Sequence, residues 1–401
     1  MPRFEPFAGV RYDQDRVALD DVIAPPYDVI GPDQLAALAA RSPYNVVHVD
    51  LPQAEDGLDP YTAAGRRFDS WLAEGILRTD PEPAFYAYRM GYVDRSGHRR
   101  QIVGVLGALE VVAPGEGDVL PHEETQHKVR DDRLRILEAC RADLSPVWGL
   151  STAEGLTELA TGAAGPPVAR YTDEEGVHHR LWRLTQPALV DAVAATVGSA
   201  PVVIADGHHR YATALAYRDA HRAGGGRGDA DLLLALVCEL ADGQAGVRPI
   251  HRLVSGLPDG FDLAAALEPF FAVTPAGSTP PAELPDRMEH EGTLALLRGS
   301  GPALLLTPRT GDGGTGEVPP DAALLDQALA TLPPHRLDFD HSLESVAAKV
   351  ASGQAQAAML LRPVDVVQIA NTARAGQRMP TKTTFFHPKP RTGMVFRRRR
   401  D

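Results

Sequence analysis

Apolar and polar positions change their period several times along this chain. In YTAAGRRFDSWLAEG the residues Tyr61, Ala64, Phe68, Trp71 and Leu72 recur at helical spacing, which predicts an amphipathic helix ending before the loop LRTDPEP. AFYAYRMGYV and RRQIVGVLGALEVV predict two strands joined by a Ser96-Gly97 turn. GVHHRLWRL alternates as a strand does, and LLLALVCEL is apolar throughout, as a strand covered on both faces would be. Val202-Val203-Ile204 predicts another buried strand, and Tyr211 onward, with Leu215 and Tyr217, turns to helical spacing. Near the N-terminus PFAGVRYD is extended, APPYDVI is bound by prolines, and NVVHVDL is strand-like. TPAGSTPPAELPD and TPRTGDGGTGEVPP are loops or insertions. Strands and helices interleave, so the expected class is α/β, a mixed α+β arrangement. Three segments are expected: 1–80, 81–222 and, after the flexible AGGGRGDAD, 223–401.

Composition narrows the partners. The 401 residues carry a formal charge of -13, with a pI near 5.5, and a basic face for nucleic acid or anionic lipid is not expected of such a chain. Cys140 and Cys238 form no CxxC pair, the N-terminus has no apolar signal core, and no apolar run reaches membrane-spanning length. A reduced, cytoplasmic protein without membrane or nucleic-acid partners is the expectation, and the terminal FRRRRD is expected to be a solvated end. Oligomeric state is not legible.

His-His-Arg occurs twice. The copy at His178 continues as a strand, whereas the copy at His208 follows Asp206-Gly207 and opens a helix, so only the second has the setting of a site. Free amides and the dipole at a helix start attract anions, and Gly207 allows a ligand close to the backbone. Arg210 adds a donor fork matched to phosphate, and His208 and His209 add donors or proton carriers. The structural alternative makes Asp206 an N-cap, the histidines exposed and Arg210 a partner in a surface ion pair. Adjacent histidines diverge, which disfavours a histidine-built metal site.

About 80 residues earlier stands Leu120-Pro121-His122-Glu123-Glu124-Thr125-Gln126-His127. His122 and His127 are five apart, which refuses the HExxH zinc pattern. A proline-initiated turn presenting one carboxylate as general base for a hydroxyl nucleophile fits better, with Lys128, Arg130 and Arg133 following to meet negative charge. A charged helix start is the alternative reading. Neither a P-loop nor a GxSxG elbow is present, and GDGGTG lacks the following lysine and is expected to be a loop.

Asp206 to Tyr211 resembles the phosphate-binding turn of the ParB/sulfiredoxin superfamily. Free L-serine kinases of that superfamily carry a similar Asp-Gly-His-His-Arg and, upstream, a Pro-His-Glu-like segment whose carboxylate activates serine's hydroxyl. Over nearly its whole length the chain resembles the family called domain of unknown function 1015. The residues that carry this are IAPPYDVI, PYNVVHVDLP, VLPHEET, DRLRILEACRADLSPVWGL, IADGHHRYATAL and MPTKTTFFHPKPRTGMV.

The resemblance implies a ParB/sulfiredoxin-like core between N- and C-terminal α/β segments. It implies Glu123 as general base with Glu124 as second choice, and His122 and Asp206 complete the candidate catalytic set. Gly207, His208, His209, Arg210 and Tyr211 would bind the phosphates of ATP or ADP, and Lys128, Arg130 and Arg133 would stabilise charge or hold the serine carboxylate. Asp206 would hold Mg2+ or orient a histidine. APPYDVI and Lys382 are weaker candidates. The leading expectation is a nucleotide-dependent phosphotransferase acting on a small hydroxylated metabolite, free L-serine first. The alternatives are a ParB-like nucleotide-binding switch and a non-catalytic metabolite-binding protein.

Overall fold

A computed structural model gives the fold. It describes the chain except residues 56, 95–96, 122–126, 164, 223–227, 242–245, 310–320, 366–367, 370, 373–374, 376–381 and 401 and the side chains of His127 and Lys128. The chain is mixed α/β and divides into two compact units. The first comprises Met1–Gly246 joined by Pro388–Asp401, and the second holds Val247–Thr372 and Gln377–His387.

The first unit is built on a sheet of nine strands among the described residues. Their order is Val119–Pro121, Val202–Asp206, Val147–Ser151, Leu232–Glu239, Arg99–Glu110, Phe85–Val93, His178–Leu184 and Ala169–Thr172, with Phe4–Glu5 also on Arg99–Glu110. Leu232–Glu239 is buried along almost its whole length, as its unbroken apolar run requires. The expected hairpin forms, Phe85–Val93 pairing with Arg99–Glu110 out to Val93 and Arg99. Its turn closes through Gly97 N–H to the Asp94 carbonyl, while Ser96 lies outside the described residues. Val202–Asp206 runs antiparallel to Val147–Ser151 and parallel to Val119–Pro121, Ile204 lying opposite Pro121.

The predicted amphipathic helix is Pro60–Ala73, capped by Asp59, whose carboxylate accepts from Tyr61 N–H at 3.1 Å. It packs on the helix His127–Cys140, which packs in turn on His208–His221. Gly65 sets the first of these contacts, because a Cβ there would stand 2.5 Å from the Ala139 carbonyl oxygen.

Three expectations are corrected. NVVHVDL is not a strand: Val47–Asp50 is a short helix. Fully buried Asn45 decides this, its Oδ1 accepting from Val47 N–H and its Nδ2 donating to the Asp21 carbonyl, so a local side-chain bond outweighs the β-propensity of the valines. Within LRTDPEP, Leu77–Thr79 is a strand that pairs with Gly9–Tyr12. The arginine tail is not solvated either, since Phe396–Arg398 inserts between Gly9–Tyr12 and Ala142–Asp143. Arg397 and Arg399 are buried, and both donate to Asp143, at 3.1 and 2.8 Å. A buried guanidinium needs such a carboxylate, and the sequence separation of over 250 residues hides it from local pattern.

The second unit is built on a sheet of six strands among the described residues, with helices on both faces. Leu263–Leu267 and Asp321–Leu329 cover one face, Leu284–Glu291 and Leu343–Ala351 the other. Most of TPRTGDGGTGEVPP, including GDGGTG, lies outside the described residues. Among the described residues no helix is long and apolar enough to cross a membrane. Cys140 and Cys238 are buried and free, and burial pushes both thiols up to about 12, so neither is a thiolate at neutral pH.

Replacing Asp143 by Ala leaves the buried Arg399 guanidinium without a carboxylate and Arg397 with Asp229 alone. We expect a loss of about 3 kcal/mol in urea unfolding, whereas a solvated tail would lose almost nothing.

Candidate functional site

The strand Val202–Asp206 delivers Asp206 to the edge of the core, and Gly207 turns the chain into the helix His208–His221. At Gly207 φ is 92°, the left-handed region that glycine adopts without strain. A Cβ at that position would also meet the Arg210 Nε at 3.0 Å, because the guanidinium folds back over the turn.

Asp206 is held between two cations. Its Oδ2 accepts from Arg210 Nη2 at 2.7 Å, and its Oδ1 accepts from Lys389 Nζ at 2.7 Å. Lys389 also donates to Asp28 Oδ2 at 3.2 Å. Arg210 Nη1 reaches Ser145 Oγ at 3.3 Å and the Pro146 carbonyl. Its Nε is buried and makes no hydrogen bond to the described residues. Side-chain exposure is 16% for Asp206, 11% for Arg210 and 9% for Lys389, so the ion pairs are largely screened from water. Burial alone would raise the Asp206 carboxyl, but Lys389, Arg210 and His208 hold it well below the usual carboxylate range.

Beside this cluster lies a second one. Arg133 Nη1 donates to Asp50 Oδ1 at 3.0 Å and to the Asp50 carbonyl at 2.7 Å, while Nη2 reaches Asp132 at 2.8 Å. Its guanidinium carbon stands 4.2 Å from the centroid of the Tyr27 ring. Burial lowers the Arg133 pKa, yet the charges of Asp50 and Asp132 outweigh that and keep it charged. Burial pushes the Tyr27 hydroxyl up to about 12. A cavity of about 50 Å³ is lined by Tyr27, Asp50, Arg133, Ser145, Arg210 and Thr213, among others. It joins the two clusters and has room for little more than a water molecule or two.

The residues singled out in the sequence fall in different places. Asp206, Gly207, His208 and Arg210 meet at the turn, with His208 buried and His209 half-buried. Tyr211 packs in the core, its hydroxyl donating to the Val112 carbonyl at 2.8 Å and accepting from Val112 N–H at 2.9 Å. Arg133 reaches the neighbouring cluster. Arg130 turns to Asp131 at 3.3 Å, and its carbonyl accepts from Thr213. His122, Glu123 and Glu124 lie outside the described residues, as does the Lys128 side chain. The strand before them, Val119–Pro121, runs parallel to Val202–Asp206 and so points to the same end of the sheet as Asp206. Lys382 belongs to the second unit, where its carbonyl accepts from Arg252 Nη1 at 2.8 Å.

Sequence reasoning missed Lys389, and it weighed Asp28 and Tyr27 only as parts of a proline-rich turn. Two signals were present. Lys389 is one of just four lysines, and it stands between Pro388 and Pro390, where ring closure restricts the backbone on both sides. Asp28 follows Pro25-Pro26-Tyr27.

A magnesium ion at Asp206 would compete with the two cations already on it. Both its oxygens carry a cationic donor, so a metal would have to displace Lys389 or Arg210. Among the described residues no group of three His, Cys, Asp or Glu side chains is placed to hold a metal ion.

Residues 4–340 match the model of a family described as "Protein of unknown function (DUF1015)". No curated protein matches the chain. Among solved structures it is similar to a free serine kinase in complex with AMP, with 12% identity, 67% of this chain and 83% of that chain covered, and a TM-score of 0.37. A conserved hypothetical protein from Pyrococcus furiosus gives 13% identity, 67% and 87% coverage and a TM-score of 0.36. SbnI with a C-terminal truncation, from Staphylococcus aureus, gives 11% identity, 72% and 86% coverage and a TM-score of 0.39.

The Asp206 cluster sets a pH dependence. A carboxyl whose folded pKa is depressed adds stability that is present above its unfolded pKa, about 4, and is lost as pH falls toward the folded value. The Asp206→Asn variant is expected to lose about 3 kcal/mol at pH 7 and to converge on the wild type as pH falls below about 4. Urea unfolding of both proteins between neutral and acid pH checks this, and a constant gap across that range would contradict it.

Proposed function

The chain belongs to the DUF1015 family of proteins of unknown function, and from that premise we propose that the Asp206 turn is the phosphate site of a nucleotide-dependent phosphotransferase. The acceptor is a small hydroxylated metabolite, with free L-serine the first choice. The observation that carries this reading is the meeting of Arg210 and Lys389 on one carboxylate at a left-handed glycine that opens a helix. Asp206 and Asp28 neutralise the two cations in the unliganded protein, so the donor's phosphate binds by exchange: its oxygens take over donors that Asp206 now holds. Arg210 brings a buried Nε that makes no hydrogen bond to the described residues.

In the chemical step Glu123 takes the proton of the acceptor hydroxyl, and that oxygen attacks the terminal phosphorus of ATP or ADP. The bond from phosphorus to the bridging oxygen breaks, and the electron pair leaves with the nucleotide. Arg210 and Lys389 hold the charge that develops on the phosphoryl oxygens. Glu124 is the second choice for the base. His208 and His209 supply further donors, while Tyr211 holds the helix in the core. Arg133, with Asp50 and Tyr27 around it, is the candidate to recognise the acceptor's charged groups, and Lys128 and Arg130 are the remaining candidates for charge stabilisation.

The test follows phosphoserine and nucleotide by mass spectrometry, with ATP or ADP, free L-serine, and Mg2+ present or omitted. Glu123→Gln is expected to lower turnover by about two to four orders of magnitude with nucleotide affinity nearly unchanged. Arg210→Ala and Lys389→Met are each expected to weaken nucleotide binding by about tenfold or more. Undiminished nucleotide binding in both variants would show that the pocket is elsewhere, and binding without product in the wild type would favour a nucleotide-operated switch.

A further inference from the structure

His179, the middle residue of the first His-His-Arg copy, has no part in the proposed chemistry and lies in a buried network that ends two residues from Lys389. Arg391 N–H donates to the Tyr88 hydroxyl at 3.2 Å, and Tyr88 stands 2.8 Å from His179 Nδ1. His179 Nε2 is 3.0 Å from Asp173 Oδ2, the oxygen that accepts from Arg391 Nε, also at 3.0 Å. The hydrogen bonds therefore form a closed ring that starts on the backbone of Arg391 and returns to its side chain. Protons can be assigned round the ring without conflict. Tyr88 accepts from Arg391 and so donates to Nδ1, which places the imidazole proton on Nε2, facing the carboxylate.

Every member is held in place. His179 is fully buried, with ring centroids of Tyr88 and Tyr171 at 5.9 and 5.8 Å. The other oxygen of Asp173 accepts from the Val177 and Glu175 amides at 2.9 and 3.0 Å. Burial lowers the His179 pKa, and with Arg391 close by the ring stays neutral.

We propose that Tyr88, His179, Asp173 and Arg391 form a positioning clamp that holds the Lys389 ammonium on Asp206. The mechanical link is short. Pro390 alone separates Arg391 from Lys389 and Pro388 precedes it, so once Arg391 is fixed few backbone rotations remain to Lys389. A lysine alone would not hold such a position, because its four-carbon stem is flexible. The clamp explains why an aspartate, a histidine and a tyrosine from separate strands and turns are buried together around the C-terminal segment. Its members are positioning residues, since they act through Lys389. The inference stands apart from the phosphotransfer reading, because its readout needs no nucleotide.

The full-length protein is acetylated with a soluble active ester, and the rates at Lys389 and Lys349 are followed separately by mass spectrometry. Lys349 is paired with Asp340 at 2.7 Å in the second unit and serves as internal reference. Tyr88→Phe removes one hydroxyl from the ring. It is expected to raise the Lys389 rate about tenfold, the effect of losing one buried hydrogen bond on a local opening equilibrium, with Lys349 unchanged. Asp173→Asn, where it folds, is expected to raise the Lys389 rate further, and Arg391→Lys less than Arg391→Ala. An unchanged Lys389 rate in folded Tyr88→Phe would overturn the clamp. A parallel rise at Lys349 would overturn it equally, by reducing the network to general stability.

Discussion

The proposed site in the first unit is organised by one carboxylate shared by two largely buried cations. Asp206 takes Arg210 from the helix it precedes and Lys389 from the far end of the chain. Removing either cation would leave the carboxylate short of a partner in a screened site, and removing the carboxylate would leave two like charges facing each other. The cluster therefore fixes the strand-to-helix turn and the C-terminal segment together. It also makes the site electrostatically poised, with cations whose present partner is a side chain that a phosphate resembles in charge and geometry.

The C-terminal segment is the structural surprise. Its strand Phe396–Arg398 is inserted into a small sheet, Arg397 and Arg399 are neutralised by Asp143 and Asp229 together, Arg391 is tied into the Tyr88–His179–Asp173 ring, and Lys389 reaches Asp206. Lys389, Arg391, Arg397 and Arg399 thus serve three separate tasks, none of them solvation. The same segment that closes the fold supplies the candidate site with its lysine, so fold and site share one set of ion pairs.

What was legible in the sequence was local. Unbroken apolar runs marked Val202–Asp206 and Leu232–Glu239, alternation marked His178–Leu184, and helical spacing marked Pro60–Ala73, because period and burial are encoded residue by residue. Asp206, Gly207 and Arg210 were found for the same reason: the turn is contiguous. Asn45 misled the reading of NVVHVDL, since a side chain bonding to its own backbone is invisible to hydropathy. Lys389 and Asp206 are 183 positions apart, and Arg391 and Asp173 218, so nothing in the neighbourhood of either residue announced its partner. A lysine fixed between two prolines was the nearest thing to a signal.

The central claim is that nucleotide phosphate takes over donors now held by Asp206. The most direct measurement is a crystal structure of the protein soaked with ADP. The account predicts phosphate oxygens within hydrogen-bond distance of Arg210 and Lys389, with at least one of the two 2.7 Å contacts to Asp206 opened. ADP bound elsewhere, with Asp206 still closed on both cations, would contradict it.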